Sequence, residues 1–116
     1  MIDLTGPIND LVDTLEDAGI RSVSVDPAEI NTPGVWVQFT GFEADLLGGY
    51  TISTALVCIV GDISPLRSLA TLSELVDKVL TVVDPSGPIT AVAVNMPGAK
   101  PLPGLRIPFD LPTCYP

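Results

Sequence analysis

The sequence predicts an α+β fold in which one mostly antiparallel sheet carries two helices on one of its faces. Two segments have the apolar spacing of amphipathic helices, and five segments have the alternating or continuous apolar pattern of strands. Their order is helix, short strand, two long strands, helix, two strands. With 116 residues and no internal repeat or low-complexity linker, we expect a single domain over 1–116.

The first helix is predicted over 7–18 and the second over 65–83. Pro7 and Pro65 suit the first turn of a helix, and Gly19 suits the position just past a helix end. We expect the apolar sides of the two helices to pack together on the sheet. The residues predicted for this core are Leu69, Leu72, Val76 and Val79 of the second helix, beside Ile8, Leu11 and Leu15 of the first.

The strands are predicted at 22–25, 35–40, 50–60, 89–96 and 105–112, with a hairpin loop over 43–49. The second half of 50–60 is apolar on both faces, which indicates a central strand. Prolines alternate with apolar residues in the last strand. Because proline cannot donate to a sheet ladder, we expect that strand to be an edge strand or to carry a bulge. The Pro-rich C-terminal segment 97–116 is predicted to be extended.

The composition disfavours several classes of function. A formal net charge of −9 argues against nucleic-acid binding and against docking on anionic membranes. No apolar run approaches the roughly 20 residues of a membrane-spanning helix, and we expect cytoplasmic synthesis with reduced cysteines. Charged residues make up only 16% of the chain, which indicates a surface partly covered by other chains. The alternative is a lightly charged monomer.

Catalytic chemistry is not predicted. The chain has no histidine, no glycine-rich phosphate loop and no paired cysteines. Cys58 lies in an apolar strand, where a plain buried thiol is the expected state rather than a nucleophile. We therefore expect no catalytic residues, no cofactor and no metal site, and we predict that the protein is not an enzyme.

An acidic cluster on the first helix leaves two interpretations open. Asp10, Asp13, Glu16 and Asp17 share its polar face, and no base lies among them. Like charges four residues apart disfavour a helix, as do acids at its C-terminal end. The cluster is either an ordinary solvated face or a surface arranged for a basic partner.

The pattern as a whole resembles the tail terminator family of long-tailed, siphovirus-type bacteriophages, especially those of actinobacterial hosts. The resemblance rests on the helix ending at Gly19, on Asp26-Pro27 followed by 31–37, on the strand opening at 48–50, on the second helix and on the proline-rich end. It covers nearly the whole chain.

The resemblance implies a structural virion protein that assembles in the host cytoplasm. Six copies would form a ring that caps the tail tube, ends its polymerisation and joins it to the head-side connector. The implied partners are copies of itself, the tail tube protein and the connector or stopper protein. Genomic DNA would pass through without specific binding, and no membrane is involved. The alternatives are a head-completion or stopper protein of the same neck, or a small cytoplasmic adaptor module.

Six residues are predicted to serve this assembly. Leu46 and Leu47 in the loop, with Leu111 and Tyr115 in the tail, are the expected subunit or tube contacts. Glu43 and Asp45 are the acids expected to face the lumen, where their charge would repel DNA.

Overall fold

The computed structural model describes residues 4–44, 49–61, 65–95 and 101–114. Residues 65 and 112–114 are described by their backbone alone. The helices are α1 (Thr5–Asp17) and α2 (Pro65–Leu80), and a single 3₁₀ turn spans Pro27–Glu29. The strands are β1 (Val23–Ser24), β2 (Gly34–Ala44), β3 (Gly49–Ile59), β4 (Thr90–Val94) and β5 (Leu102–Cys114).

The five strands form one sheet in the order β1-β2-β3-β5-β4. The pairing is antiparallel except between β1 and β2, which run parallel. The predicted α+β class is confirmed, with both helices on one face of a mostly antiparallel sheet. β3 is central, as its apolar second half predicts, and residues 54–60 are all buried.

The helix-side core lies between α1, α2 and the sheet. Its fully buried members include Leu15 of α1, Val79 of α2 and Leu56 of β3. Gly19, with φ of 98°, follows the end of α1 in the left-handed conformation that favours glycine, as predicted.

Leu69 was wrongly predicted to join this core: its side chain is 62% exposed. The buried row of α2 instead runs through Ser68, Leu72, Leu75 and Val79, at helical spacing. Apolar residues occupy two neighbouring rows along α2. The sheet covers one of these rows, and Leu69 belongs to the row that stays exposed.

The prediction that the last strand is an edge strand or carries a bulge is wrong, because β5 lies between β3 and β4 and pairs with both in continuous register. Its pairing with β4 stops at Arg106, so residues 107–114 have a strand neighbour on one side only. Pro108 falls in this one-sided part. Its carbonyl oxygen accepts a bond of 2.9 Å from the N–H of Ser86, outside the strands. Proline is tolerated in an inner strand here because β4 begins at Thr90, opposite Arg106, and does not extend alongside Pro108.

A second apolar cluster lies on the sheet face opposite the helices. Ile30 follows the 3₁₀ turn and packs with Val57, Ile59 and Val94 of the sheet. Trp36 lies beside this cluster, and its indole N–H donates to the carbonyl oxygen of Val25 at 3.1 Å. The loop that follows β1 is thereby fixed against the helix-free face.

Candidate functional site

The described residues contain no grouping of metal-binding type. No group of three or more histidine, cysteine or carboxylate side chains that could hold a metal ion occurs among them. The Cys58 thiol is fully buried, and desolvation raises its pKa to about 12. A thiol in that state is not a nucleophile at neutral pH.

An apolar ridge runs along the outer side of α2. This α2 ridge consists of Leu66 and Leu69 near the start of α2 and Leu80 at its end, with 80%, 62% and 39% of their side chains exposed. The exposed polar residues Ser73 and Asp77 lie between them on the same side of the helix. Helical spacing sets the ridge on the opposite side of α2 from Leu75 and Lys78. Because Leu75 and Lys78 face the end of α1 across a cleft, the α2 ridge points away from α1.

An apolar groove lies on the other flank of the molecule, between the start of α1 and the edge of the sheet at β2. This β2 groove encloses about 300 Å³. Its apolar lining comes from Leu4, Ile8, Val25, Val37 and Phe39. Val25 and Phe39 are 55% and 46% exposed. Singly scattered exposed apolar residues are normal on a protein surface, but these converge on one concave site.

At each lateral edge of the sheet, part of a strand also lacks a strand neighbour among the described residues. β1 pairs with Val35 and Trp36 only, so β2 beyond Trp36 has no described partner on its outer side. β4 forms the opposite edge and pairs only with β5. On the helix side of β4, Ala91 and Ala93 are exposed. Unpaired edges of this kind are where other chains can be added to a sheet.

A fourth surface feature is a cleft of about 430 Å³ between the end of α1, the loop before β2 and α2. Arg21 and Lys78 line it together with the polar residues Ser22, Asn31 and Thr32. We call it the basic cleft. The ammonium group of Lys78 donates to the carbonyl oxygen of Gly19 at 3.4 Å, which links α2 to the end of α1.

The acids predicted on α1 are all exposed to solvent. Asp10, Asp13, Glu16 and Asp17 are exposed, and the last turn of the helix carries no base. This acidic face lies on the outside of α1, away from the buried Leu11 and Leu15.

The structure describes two of the six residues predicted as contacts or lumen acids. Glu43 is exposed, but it belongs to the end of β2 and not to a loop. Leu111 is half-buried against the helix-side core, so part of its side chain is already used within the chain. Asp45, Leu46, Leu47 and Tyr115 lie outside the described residues.

Sequence reasoning missed all three features: ridge, groove and cleft. The ridge could have been predicted from the sequence, because α2 has more apolar residues than one buried row contains. The groove and the cleft could not, because each is lined by residues that are far apart in the chain. Val25 meets Ile8 in the groove, and Arg21 meets Lys78 in the cleft.

Comparison with known proteins adds no family assignment. No protein-family model matches the chain, and none of the curated proteins gives a significant match. Neither helix within the described part of the chain is long and apolar enough to cross a bilayer.

Proposed function

We propose that this chain is the subunit of a ring that terminates the tail tube of a long-tailed bacteriophage and joins the tube to the head-side connector. In this role the protein works by assembly and carries out no reaction. The virion neck is its proposed location, and copies of itself, the tube protein and the connector are its proposed partners. The family resemblance of the sequence supplies the particular role, and the surface of the fold supports assembly.

The observation that carries the proposal is the placement of the α2 ridge and the β2 groove on opposite flanks of one subunit. One surface is convex and the other concave, and both are apolar. A surface that binds a different surface on the next copy makes a head-to-tail contact, which closes into a ring when the rotation between copies is right. A twofold dimer would instead pair each surface with itself.

The charge of the chain fits a channel that DNA passes through. Each subunit has a formal net charge of −9, so a ring of such subunits repels phosphate. Glu43, exposed near the far end of β2, is the described acid proposed to face the lumen. This charge also means that the subunit contacts must bury apolar surface or pair the few bases, since acids meeting acids would oppose assembly.

Deletion of the gene from the phage tests the role. Tails that lack a terminator are expected to exceed normal length and to remain unjoined to heads. Complementation with the wild-type gene should restore normal tails. Complementation with the Leu66→Ser, Leu69→Ser double variant should fail, while Ala70→Ser, at an exposed position of the same helix, should succeed.

The same experiment separates the alternatives. Loss of a head-completion or stopper protein would leave tails of normal length while heads lose DNA, so normal-length free tails would contradict the terminator role. A cytoplasmic adaptor would be missing from purified particles. Detection of the chain at the head-proximal end of the tail by antibody labelling would reject that adaptor.

A further inference from the structure

The basic cleft gathers a large share of the positive charge of the chain. The protein has only five bases, and two of them, Arg21 and Lys78, line this one cleft. Both side chains are exposed. Within the described part of the chain, the guanidinium of Arg21 forms no hydrogen bond or ion pair, and the ammonium group of Lys78 forms only its long bond to Gly19.

The rest of the lining suits a carboxylate. Ser22 accepts a bond of 2.9 Å from the N–H of Asn31, which leaves its own hydroxyl hydrogen for another acceptor. Thr32 adds a second hydroxyl to the lining. An arginine fork beside a lysine ammonium is a strong combination for binding carboxylate oxygens, because charge-assisted bonds exceed neutral ones in strength.

The acidic face of α1 is the complementary surface on the same molecule. Asp13, Glu16 and Asp17 are exposed, and none of them pairs with Arg21 or Lys78 within the described part of its own chain. The two surfaces are therefore both available to other copies. Because each chain has a net charge of −9, neighbouring copies repel each other. Two bases at one place replace this repulsion with attraction at a defined contact.

We infer that the basic cleft, lined by Arg21 and Lys78, receives the acidic face of α1 from a second copy of this chain. The inference rests on the proposed function, since it specifies a subunit contact within the ring. The contact is head-to-tail: each copy offers its cleft to one neighbour and its acidic helix to the other. Its strength falls with salt, because both partners are exposed charges.

A charge swap tests this contact. The cleft variant is Arg21→Glu with Lys78→Glu, the helix variant is Asp13→Lys with Asp17→Lys, and the swapped protein carries all four changes. Arg106→Glu, on the helix-free face, is the matched control for a reversed base outside the cleft. Assembly is measured as oligomeric mass against protein concentration by native mass spectrometry, alone and with tail tubes.

We expect each two-residue reversal to raise the concentration needed for assembly at least tenfold, the four-residue swap to restore it, and the control to leave it unchanged. Circular dichroism melts check folding, and Arg21→Gln with Lys78→Gln replaces the cleft variant if its fold is lost. A swap that does not restore assembly overturns the inference. So does inorganic phosphate that binds the cleft at millimolar concentration without weakening assembly, which would identify a site for free anions.

Failure of the inference is distinct from failure of the proposed function. If the wild-type chain forms rings and the reversals leave assembly unchanged, the cleft contact is wrong and the ring stands. If the wild-type chain forms no oligomer under either condition, the proposed ring fails and the cleft contact fails with it.

Discussion

The hydroxyl of Thr54 donates a 2.6 Å hydrogen bond to the carbonyl oxygen of Phe109 and thereby joins the central strand β3 to β5 by a side chain. Thr54 is 2% exposed and lies in register with Phe109 across the two strands. A buried hydroxyl is costly unless it is bonded, and here the bond satisfies it inside the helix-side layer.

Thr54→Val keeps the shape of the side chain and removes this bond. We expect the free energy of unfolding to fall by about 0.5–1.5 kcal/mol, the usual net value of one hydrogen bond. Thr54→Ser retains the hydroxyl and serves as the control. Urea denaturation measures both variants, and a Thr54→Val protein as stable as wild type would show that the bond contributes nothing.

Leu72→Ala should destabilise the protein by about 2–5 kcal/mol, because the side chain is buried and its loss leaves a cavity. Leu72 is 4% exposed, whereas Leu69, three residues earlier on the same helix, is 62% exposed. Leu69→Ala is therefore the matched control, with an expected loss below about 0.5 kcal/mol. Equal losses for the two variants in chemical denaturation would contradict the assignment of the buried row.

Gly104→Ala should destabilise the protein by about 1–3 kcal/mol, because an added methyl group overpacks the sheet. A Cβ at this position would lie 2.7 Å from the carbonyl oxygen of Cys58, a backbone atom that cannot move aside. Gly87→Ala is the control, since its nearest neighbour is a proline side chain at 3.3 Å. If Gly87→Ala lowers the melting temperature more than Gly104→Ala does, the close packing of β5 against β3 at Gly104 is contradicted.

The Cys58 thiol should resist alkylation in the folded protein and react after unfolding. Burial raises its pKa from 9.0 to about 12, so the unfolded chain loses the proton at lower pH than the folded chain does. Between pH 9 and 12 the unfolded state therefore binds fewer protons, and the contribution of this thiol to stability falls as the pH rises. Below pH 9 that contribution is constant. Cys58→Ala removes the thiol and should flatten this part of the pH profile; an unchanged slope would assign it to other groups.

The sequence was sufficient to predict the elements but not all of their neighbours. Helical and alternating spacing are local properties, and they placed α1, α2 and the central β3 correctly. The order of strands is not local. Proline in β5 suggested an edge strand or a bulge, but Pro108 is accommodated because β4 begins at Thr90, which pairs with Arg106, so no residue of β4 pairs with β5 beyond that point.

The surface features are even harder to predict from the sequence than the order of the strands. Leu69 has the spacing of a buried residue and faces solvent, because the sheet covers a neighbouring row of α2. Arg21 and Lys78 are 57 positions apart, and only the packing of α2 against the end of α1 brings them to one cleft. Spacing within a segment carries no information about such pairs.

The mass of the purified chain under native conditions, measured over a wide concentration range alone and with a tail tube protein as the proposed partner, tests the central claim most directly. We predict one closed oligomer of fixed stoichiometry, six copies of the 12.1 kDa subunit, with no series of larger oligomers. The Leu66→Ser, Leu69→Ser variant should shift that equilibrium toward single subunits. A mass of 12.1 kDa at every concentration, with and without the tube protein, would contradict a ring.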